Sequence, residues 1–208
     1  MKVLLLHAWP LDERMWEPQI TALRAAGFEP EAPRLYGRGP SIDAWAAQLL
    51  NEVDGQFVAV GASMGGYTAL ALARRAPERV VGIVLVGSPT GVDSPERRAA
   101  REELIADLRA GSASVLGETD VPVEDLAVAQ EAIRDRADAS GVLGAFGGPV
   151  LVCVGADDEH LSVEQATEIA QDALVGTVHV FPGTGHLVSV EQPDAFVALL
   201  LEFLSQWT

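Results

Sequence analysis

The sequence predicts an α/β fold, in which helices cover both faces of a mostly or wholly parallel sheet. Strand-like and helix-like segments alternate along most of the 208 residues, which is the pattern of such a sheet. A glycine-rich stretch at 61–65 joins an apolar run directly to a helical segment. The length fits one domain with a sizeable core, so we expect a single domain over residues 1–208.

Short segments rich in apolar and β-branched residues predict about six strands. They lie at residues 3–6, 28–33, 57–60, 80–86, 150–154 and 178–181. The second segment holds only a short strand, because glycine and proline end it.

Apolar residues at helical spacing predict the helices. These helices lie at residues 16–23, 42–53, 67–75, 163–173 and 193–204. The first carries Trp16, Ile20 and Leu23 on one face. The last carries a stripe made of Phe196, Leu199, Leu200, Phe203 and Leu204.

Residues 89–148 break this alternation. The segment is charged, helix-prone and without strand-like runs, and Leu104 and Leu108 share one helical face. Its apolar content is too high for a disordered linker. We therefore expect two or three helices inserted after the fourth strand. They would form a small cap over the glycine-rich turn, which excludes water and selects substrates by shape.

The composition indicates a globular protein and argues against several classes of partner. Hydrophobic residues make up 49% and charged residues 21% of the chain, and no apolar run approaches the length of a membrane span. The net charge of −16 argues against nucleic acid and anionic membranes as partners, because both repel an acidic surface. No secretory cleavage pattern follows Met1, so we expect a cytoplasmic protein. The oligomeric state stays open.

The single cysteine and the four histidines show no metal-binding pattern. Cys153 lies in a predicted buried strand and is expected to be a packing residue. No cysteine or histidine spacing indicates a metal, and no cofactor is expected.

The stretch from Gly61 to Gly65 has the pattern G-x-S-x-G, with Ser63 at its apex. This turn exposes a serine hydroxyl between a strand and a helix, and its glycines let the backbone cross closely packed neighbours. The N–H of Met64 then points to where a substrate oxyanion would form. Nucleotide-binding folds also use glycine-rich turns, but neither of their motifs is present, and Lys2 is the only lysine.

A serine nucleophile needs a histidine base, and the four histidines are not equivalent. His186 follows the last predicted strand on a glycine-rich loop, from which it can reach a neighbouring turn. His179 alternates with apolar residues and is expected to be a strand side chain. His7 ends the first strand and is expected to hold a loop by hydrogen bonding. His160 is expected in an exposed loop beside acidic residues.

A carboxylate must hold the imidazole and stabilise its charged form. Asp157 and Asp158 both follow the strand predicted at 150–154. We favour Asp158 and keep Asp157 as the alternative. The order Ser63, Asp158, His186 is the nucleophile, acid and base order of α/β-hydrolases.

The chain resembles the α/β-hydrolase superfamily, in particular its small cap-bearing esterases, lactonases and cofactor-free haloperoxidases. The motifs that carry the resemblance span nearly the whole chain in the same order as in the family. They are Leu4 to Pro10 with Arg14 to Trp16, Tyr36 to Gly39, Gly61 to Gly66, Gly155 to Asp158, and Gly183 to His186 with Glu191 to Pro193.

The resemblance implies an α/β-hydrolase fold and roles for individual residues. It implies Asp158 as the acid, because the family's acid usually lies three residues after the strand-ending glycine. It also implies that the backbone N–H groups of Trp9 and Met64 form the oxyanion hole. One departure is Ala8, where the family usually has glycine, and alanine resists some backbone angles that glycine adopts.

We therefore expect a serine hydrolase that cleaves a small carboxylic ester or lactone through an acyl-enzyme intermediate. Two other functions stay open. One is carbon–carbon bond hydrolysis or perhydrolysis at the same site, which this fold also hosts. The other is a hydrolase-like protein that binds a small molecule for signalling.

Overall fold

One parallel sheet forms the centre of the computed structural model, which describes residues 1–112 and 119–207. Within these residues the sheet has six strands in the order β2-β1-β3-β4-β5-β6. The strands are β1 (Lys2–Leu6), β2 (Glu29–Glu31), β3 (Phe57–Ala62), β4 (Val80–Val86), β5 (Val150–Gly155) and β6 (Gly176–Phe181). All five strand pairs are parallel, which confirms the predicted fold class.

Helices connect the strands and complete the described chain. They are α1 (Glu17–Ala25), α2 (Ile42–Glu52), α3 (Met64–Arg75), α4 (Pro95–Ala110), α5 (Val123–Arg134), α6 (Val142–Ala145), α7 (Val163–Asp172), α8 (Val188–Glu191) and α9 (Pro193–Leu204). Short 3₁₀ helices lie at Glu13–Trp16 and Ser205–Trp207. Across the described residues, no helix is long and apolar enough to span a membrane.

Both faces of the central strands are buried, each against its own set of helices. Alternate residues of β1 show this, because Val3 and Leu5 belong to one apolar cluster and Leu4 and Leu6 to the other. The first cluster also contains side chains of α1 and α9. The second contains side chains of α2, α3, α5 and α7. Strands β3 and β5 are buried along their whole length, as is typical of central parallel strands.

In the described parts of the chain, three helices begin at serines whose side chains accept a backbone hydrogen bond. Ser41 caps α2, Ser94 caps α4 and Ser162 caps α7. Each hydroxyl satisfies an N–H that the first helical turn leaves without a partner. Together with Gln165, Ser162 forms a capping box, in which the two residues exchange side-chain to backbone hydrogen bonds.

The structure moves several predicted boundaries by one to three residues. The elbow helix α3 begins at Met64, directly after Ser63, rather than at residue 67. Strand β6 begins at Gly176, two residues earlier than predicted. A side chain at 176 would overlap the backbone of Ala170, so glycine lets α7 and β6 approach closely. Trp16, predicted on the first helix, lies in the 3₁₀ turn before α1.

The segment between β4 and β5 holds α4, α5 and α6, so its described residues contain three helices and no strand. Residues 113–118 of the predicted cap lie outside the described residues. A buried ion-pair network joins the helices, because Asp93 binds both Arg101 (2.5 Å) and Arg136 (2.9 Å). Arg101 also donates to Gln130 of α5 (2.7 Å), and Arg136 lies 4.2 Å from the ring centre of Tyr67 on α3.

Candidate active site

Ser63 occupies a strained position between β3 and α3. Its φ of 49° is the one positive φ of a non-glycine residue in the described chain. Such conformations persist only where surrounding structure holds them. Here the Ser63 N–H donates to Val86 O (2.8 Å), and the Ser63 carbonyl accepts from Gly66 N (2.9 Å) and Ser88 Oγ (3.1 Å).

The glycines around Ser63 are sterically required. A β-carbon at Gly61 would overlap the carbonyl of Gly65, and one at Gly65 would overlap the carbonyl of Leu6 on the neighbouring strand. A β-carbon at Gly66 would overlap Ser88. The elbow therefore depends on backbone packing that any side chain at these positions would break.

Asp158 and His186 form a hydrogen-bonded pair beyond the carboxyl ends of β5 and β6. Nδ1 of His186 lies 3.0 Å and 2.9 Å from the two carboxylate oxygens of Asp158. The Asp158 side chain is 0% exposed and that of His186 is 22% exposed, so the pair is shielded from water but the imidazole can be reached. Because a carboxylate only accepts, Nδ1 carries the proton and Nε2 is free to act as a base.

Hydrogen bonds keep the Asp158 carboxylate ionised despite its burial. Burial alone would raise the pKa of Asp158, but the hydrogen bond and positive charge of His186 outweigh it and hold the pKa below its ordinary value. The N–H groups of His160 (2.8 Å) and Leu161 (3.2 Å) also donate to this carboxylate. Asp157, the alternative acid, is exposed, and its backbone N–H donates to Thr184 O (2.9 Å).

Contacts to backbone atoms hold the loop that carries His186 in place. The exposed carboxylate of Glu191 accepts from Gly185 N (2.7 Å) and Leu187 N (2.9 Å), the residues on either side of His186. A β-carbon at Gly155 would overlap the carbonyls of Gly185 and Thr184, so β5 and this loop touch through backbone atoms.

Ser63 and His186 both contact the carboxyl end of β4. The Ser63 N–H binds Val86 O, and the imidazole lies against the next residue, because a β-carbon at Gly87 would sit 3.0 Å from its Nδ1 and Cε1. Within the described residues no hydrogen bond joins Ser63 Oγ to His186. Such a bond often forms or tightens only when substrate is bound.

The other three histidines lie in different surroundings. His7 is fully buried, accepts from Leu35 N at Nε2 (2.9 Å) and holds Ala8 O at Nδ1 (3.0 Å), as its predicted loop-holding role requires. His179 is a β6 side chain and packs on Phe181. His160 is exposed as predicted, but its ring also contacts the imidazole of His186, with ring centres 4.6 Å apart.

The backbone N–H groups of Met64 and Trp9, the predicted oxyanion donors, have no protein acceptor in the described chain. Met64 is the first residue of α3, and its N–H, like that of Trp9, donates to no acceptor among the described residues. Ala8 has no positive φ, so this position accommodates alanine without backbone strain. The Ala8 N–H donates to Met15 Sδ (3.2 Å), and the Trp9 indole donates to Leu126 O on α5 (3.2 Å).

Three features of this site were missed by sequence reasoning. Ser88 braces the elbow, Gly87 (φ 58°) makes room for the imidazole, and Glu191 holds the loop of His186. Glu191 belongs to a recognised motif, which was a usable signal. Ser88 and Gly87 act only through contacts with residues far away in the sequence, so no local pattern identifies them.

A cavity of about 910 Å³ lies beside the loop that follows β1, lined in part by Pro10, Met15 and Val190. Ser63, Asp158 and His186 do not line it. Geometry of the polar groups, rather than cavity size, therefore identifies the candidate site. In the parts of the chain that the structure describes, no group of three or more histidine, cysteine or acidic residues is arranged to hold a metal ion.

The arrangement has the parts needed for nucleophilic catalysis: a partly exposed serine on a strained turn and an imidazole oriented by a carboxylate. Comparison with known proteins agrees. A region of 41% identity over 105 residues is shared with a pimeloyl-[acyl-carrier protein] methyl ester esterase of Aromatoleum aromaticum, but it covers 47% of this chain and 42% of that enzyme.

Two further similarities extend over more of the chain. A 2-hydroxymuconate semialdehyde hydrolase of Pseudomonas sp. is 28% identical over 79% of this chain and 69% of its own length. A thermophilic esterase from Thermogutta terrifontis, solved with malate bound, has a similar structure, with a TM-score of 0.91 and 28% identity over 99% of this chain and 90% of that one. A family model described as "Alpha/beta hydrolase family" matches residues 3–199. The protein therefore belongs to the alpha/beta hydrolase family.

Proposed function

We propose that the protein is a serine hydrolase that cleaves a small carboxylic ester or lactone through an acyl-enzyme intermediate on Ser63. The observation that carries this proposal is the hydrogen-bonded pair of His186 and buried Asp158. This pair lies at the strand end that also anchors the strained Ser63. An imidazole held in this tautomer by an ionised carboxylate is the base that a serine nucleophile requires.

The first half of the reaction transfers the acyl group to the protein. Ser63 Oγ attacks the ester carbonyl while Nε2 of His186 accepts its proton, and Asp158 stabilises the imidazolium that forms. The N–H groups of Trp9 and Met64 donate to the oxyanion. His186 then gives its proton to the leaving alcohol as the carbonyl–oxygen bond breaks.

The second half releases the acid. Water takes the place of the alcohol, and His186 removes a proton from it as its oxygen attacks the acyl carbonyl. The same two N–H groups stabilise the second oxyanion. Collapse of this intermediate breaks the bond to Ser63 Oγ, which recovers its proton from His186.

The helices between β4 and β5 are proposed to cap this site. The indole of Trp9 donates to Leu126 on α5, so these helices contact the proposed oxyanion loop directly. The buried network around Asp93 holds α4 and α5 together as one unit. A cap in this position would exclude water and strengthen the hydrogen bonds to the oxyanion.

A panel of p-nitrophenyl esters and small lactones tests the proposal. The wild-type protein is expected to hydrolyse at least one of them, and Ser63→Ala to lower kcat about a thousandfold or more, since only binding and oxyanion contacts remain. Ser140→Ala, which removes an exposed hydroxyl, is the matched control and should retain activity. Wild-type turnover in Ser63→Ala would remove the serine from the mechanism.

A second candidate is hydrolysis of a carbon–carbon bond by the same residues. The observation that favours it is the similarity to the Pseudomonas semialdehyde hydrolase over 79% of this chain. Product analysis after incubation with a vinylogous 1,5-diketone separates the two functions. Cleavage of the diketone in preference to every ester would favour this second candidate.

A further inference from the structure

His160 is a titratable side chain that the proposed mechanism does not use, although it touches the site. Its ring contacts the imidazole of His186 edge to face, with centres 4.6 Å apart and planes at 87°. Its backbone N–H donates to the same carboxylate that holds His186, at 2.8 Å. The peptide and the ring of His160 therefore both act on the Asp158–His186 pair.

The hydrogen bond to Asp158 alone does not fix the orientation of an imidazole, because the ring can swing about it. Close packing supplies the missing constraint, and both Gly87 and the ring of His160 lie against the imidazole. Edge-to-face packing of aromatic rings is directional and restricts both rings.

We propose that His160 is a positioning residue, whose ring holds the imidazole of His186 in the orientation that serves Ser63. The inference rests on the proposed serine hydrolase function and adds to it a group that no triad motif contains. The contact requires the ring of His160, not its nitrogen atoms. Phenylalanine should therefore replace it and alanine should not.

The electrostatics of the loop favour a neutral His160 beside His186. Loss of part of its hydration lowers the pKa of His160 from its ordinary value, and the positive charge of protonated His186 lowers it further. The negative charge of Asp158 raises the pKa of His160, whereas the positive charges of Arg97 and Arg101 lower it. Arg97 also donates to His160 O (3.4 Å). A neutral ring can stay in contact while His186 gains and loses its proton.

The test compares His160→Ala and His160→Phe by steady-state kinetics and by proton NMR of the low-field Nδ1–H of His186. We expect His160→Ala to lower kcat about tenfold to a hundredfold with little change in KM, because a slightly misplaced base loses alignment. The low-field signal should weaken in the same variant. His160→Phe should restore both kcat and the signal.

The matched control is His179→Ala, which removes another edge-to-face contact, to Phe181 at 4.7 Å, outside the site. It should leave kcat and the NMR signal unchanged. Wild-type kcat and signal in His160→Ala, or equal losses in the Ala and Phe variants, would overturn the proposal. The NMR signal needs no substrate, so it tests the positioning role even if the ester panel gives no turnover.

Discussion

Backbone strain and carboxylate burial are the two residue-scale features on which the proposed chemistry depends. Ser63 is held at a φ of 49° by hydrogen bonds from three directions, which keeps its side chain at the apex of the turn. Asp158 receives donors from His160, Leu161 and His186. Such a carboxylate is a fixed negative charge rather than a proton carrier.

Exchange of the carboxylate for an amide should separate the two candidate acids. Asp158→Asn keeps the shape but favours the wrong imidazole tautomer, so we expect kcat to fall roughly a thousandfold to ten-thousandfold, or about 4 to 5 kcal/mol of barrier. Asp157→Asn changes an exposed neighbour and should stay within about twofold of wild type. A larger loss in Asp157→Asn, measured with the same ester, would reverse the assignment.

At the scale of elements, the elbow is a three-way backbone contact of β1, β3 and α3. Gly65 lies against Leu6 of β1, and Gly61 lies against the first turn of α3. The turn and the parallel sheet therefore stabilise each other, and the position of Ser63 follows from the packing of β1 against β3.

Gly65→Ala should destabilise the fold, because the added β-carbon would overlap backbone atoms of Leu6 that cannot move independently. We expect a loss of about 3 kcal/mol in the free energy of unfolding, measured by urea denaturation. Gly141→Ala is the control, since its β-carbon would meet nothing within 4 Å and its φ is −83°. It should change stability by about 1 kcal/mol or less. Equal stabilities of the two variants would contradict this account of the elbow.

Local patterns in the sequence predict the elements and the chemistry they carry. The alternation of segments predicted the six strands, and the elbow motif predicted Ser63 at the apex of the turn. The sequence favoured Asp158 over Asp157 and left both open, because both follow β5 in one loop, and the contact with His186 distinguishes them. Contacts between distant residues were not predictable: Ser88 on the elbow and His160 on His186 depend on how β3, β4 and β5 lie side by side.

At the scale of the whole molecule, a buried histidine links stability to pH. Burial of the ring lowers the pKa of His7 to about 4, against the opposing hydrogen bond to Ala8. Protonation would also break the bond that Leu35 N–H donates to Nε2. At pH values between the ordinary pKa of histidine and about 4, His7 is protonated in the unfolded chain and neutral in the folded chain.

Stability should therefore fall as the pH decreases from about 6.5 to about 4, by about 3 kcal/mol from His7 alone. Urea denaturation of wild type and His7→Gln across this range measures the contribution, because the variant should lose less stability on acidification. His179→Gln, which changes a strand histidine outside the buried core, should follow the wild type. Parallel pH profiles for wild type and His7→Gln would show that His7 is not the group responsible.

The central claim is that Ser63 is a nucleophile activated by His186. Intact-protein and peptide mass spectrometry after treatment with a fluorophosphonate measures this most directly, since labelling requires an activated hydroxyl. We predict one adduct per chain, located on Ser63, and its loss in His186→Ala. A wild-type protein that gains no adduct, or one that is labelled on Ser63 equally fast without His186, would contradict the account.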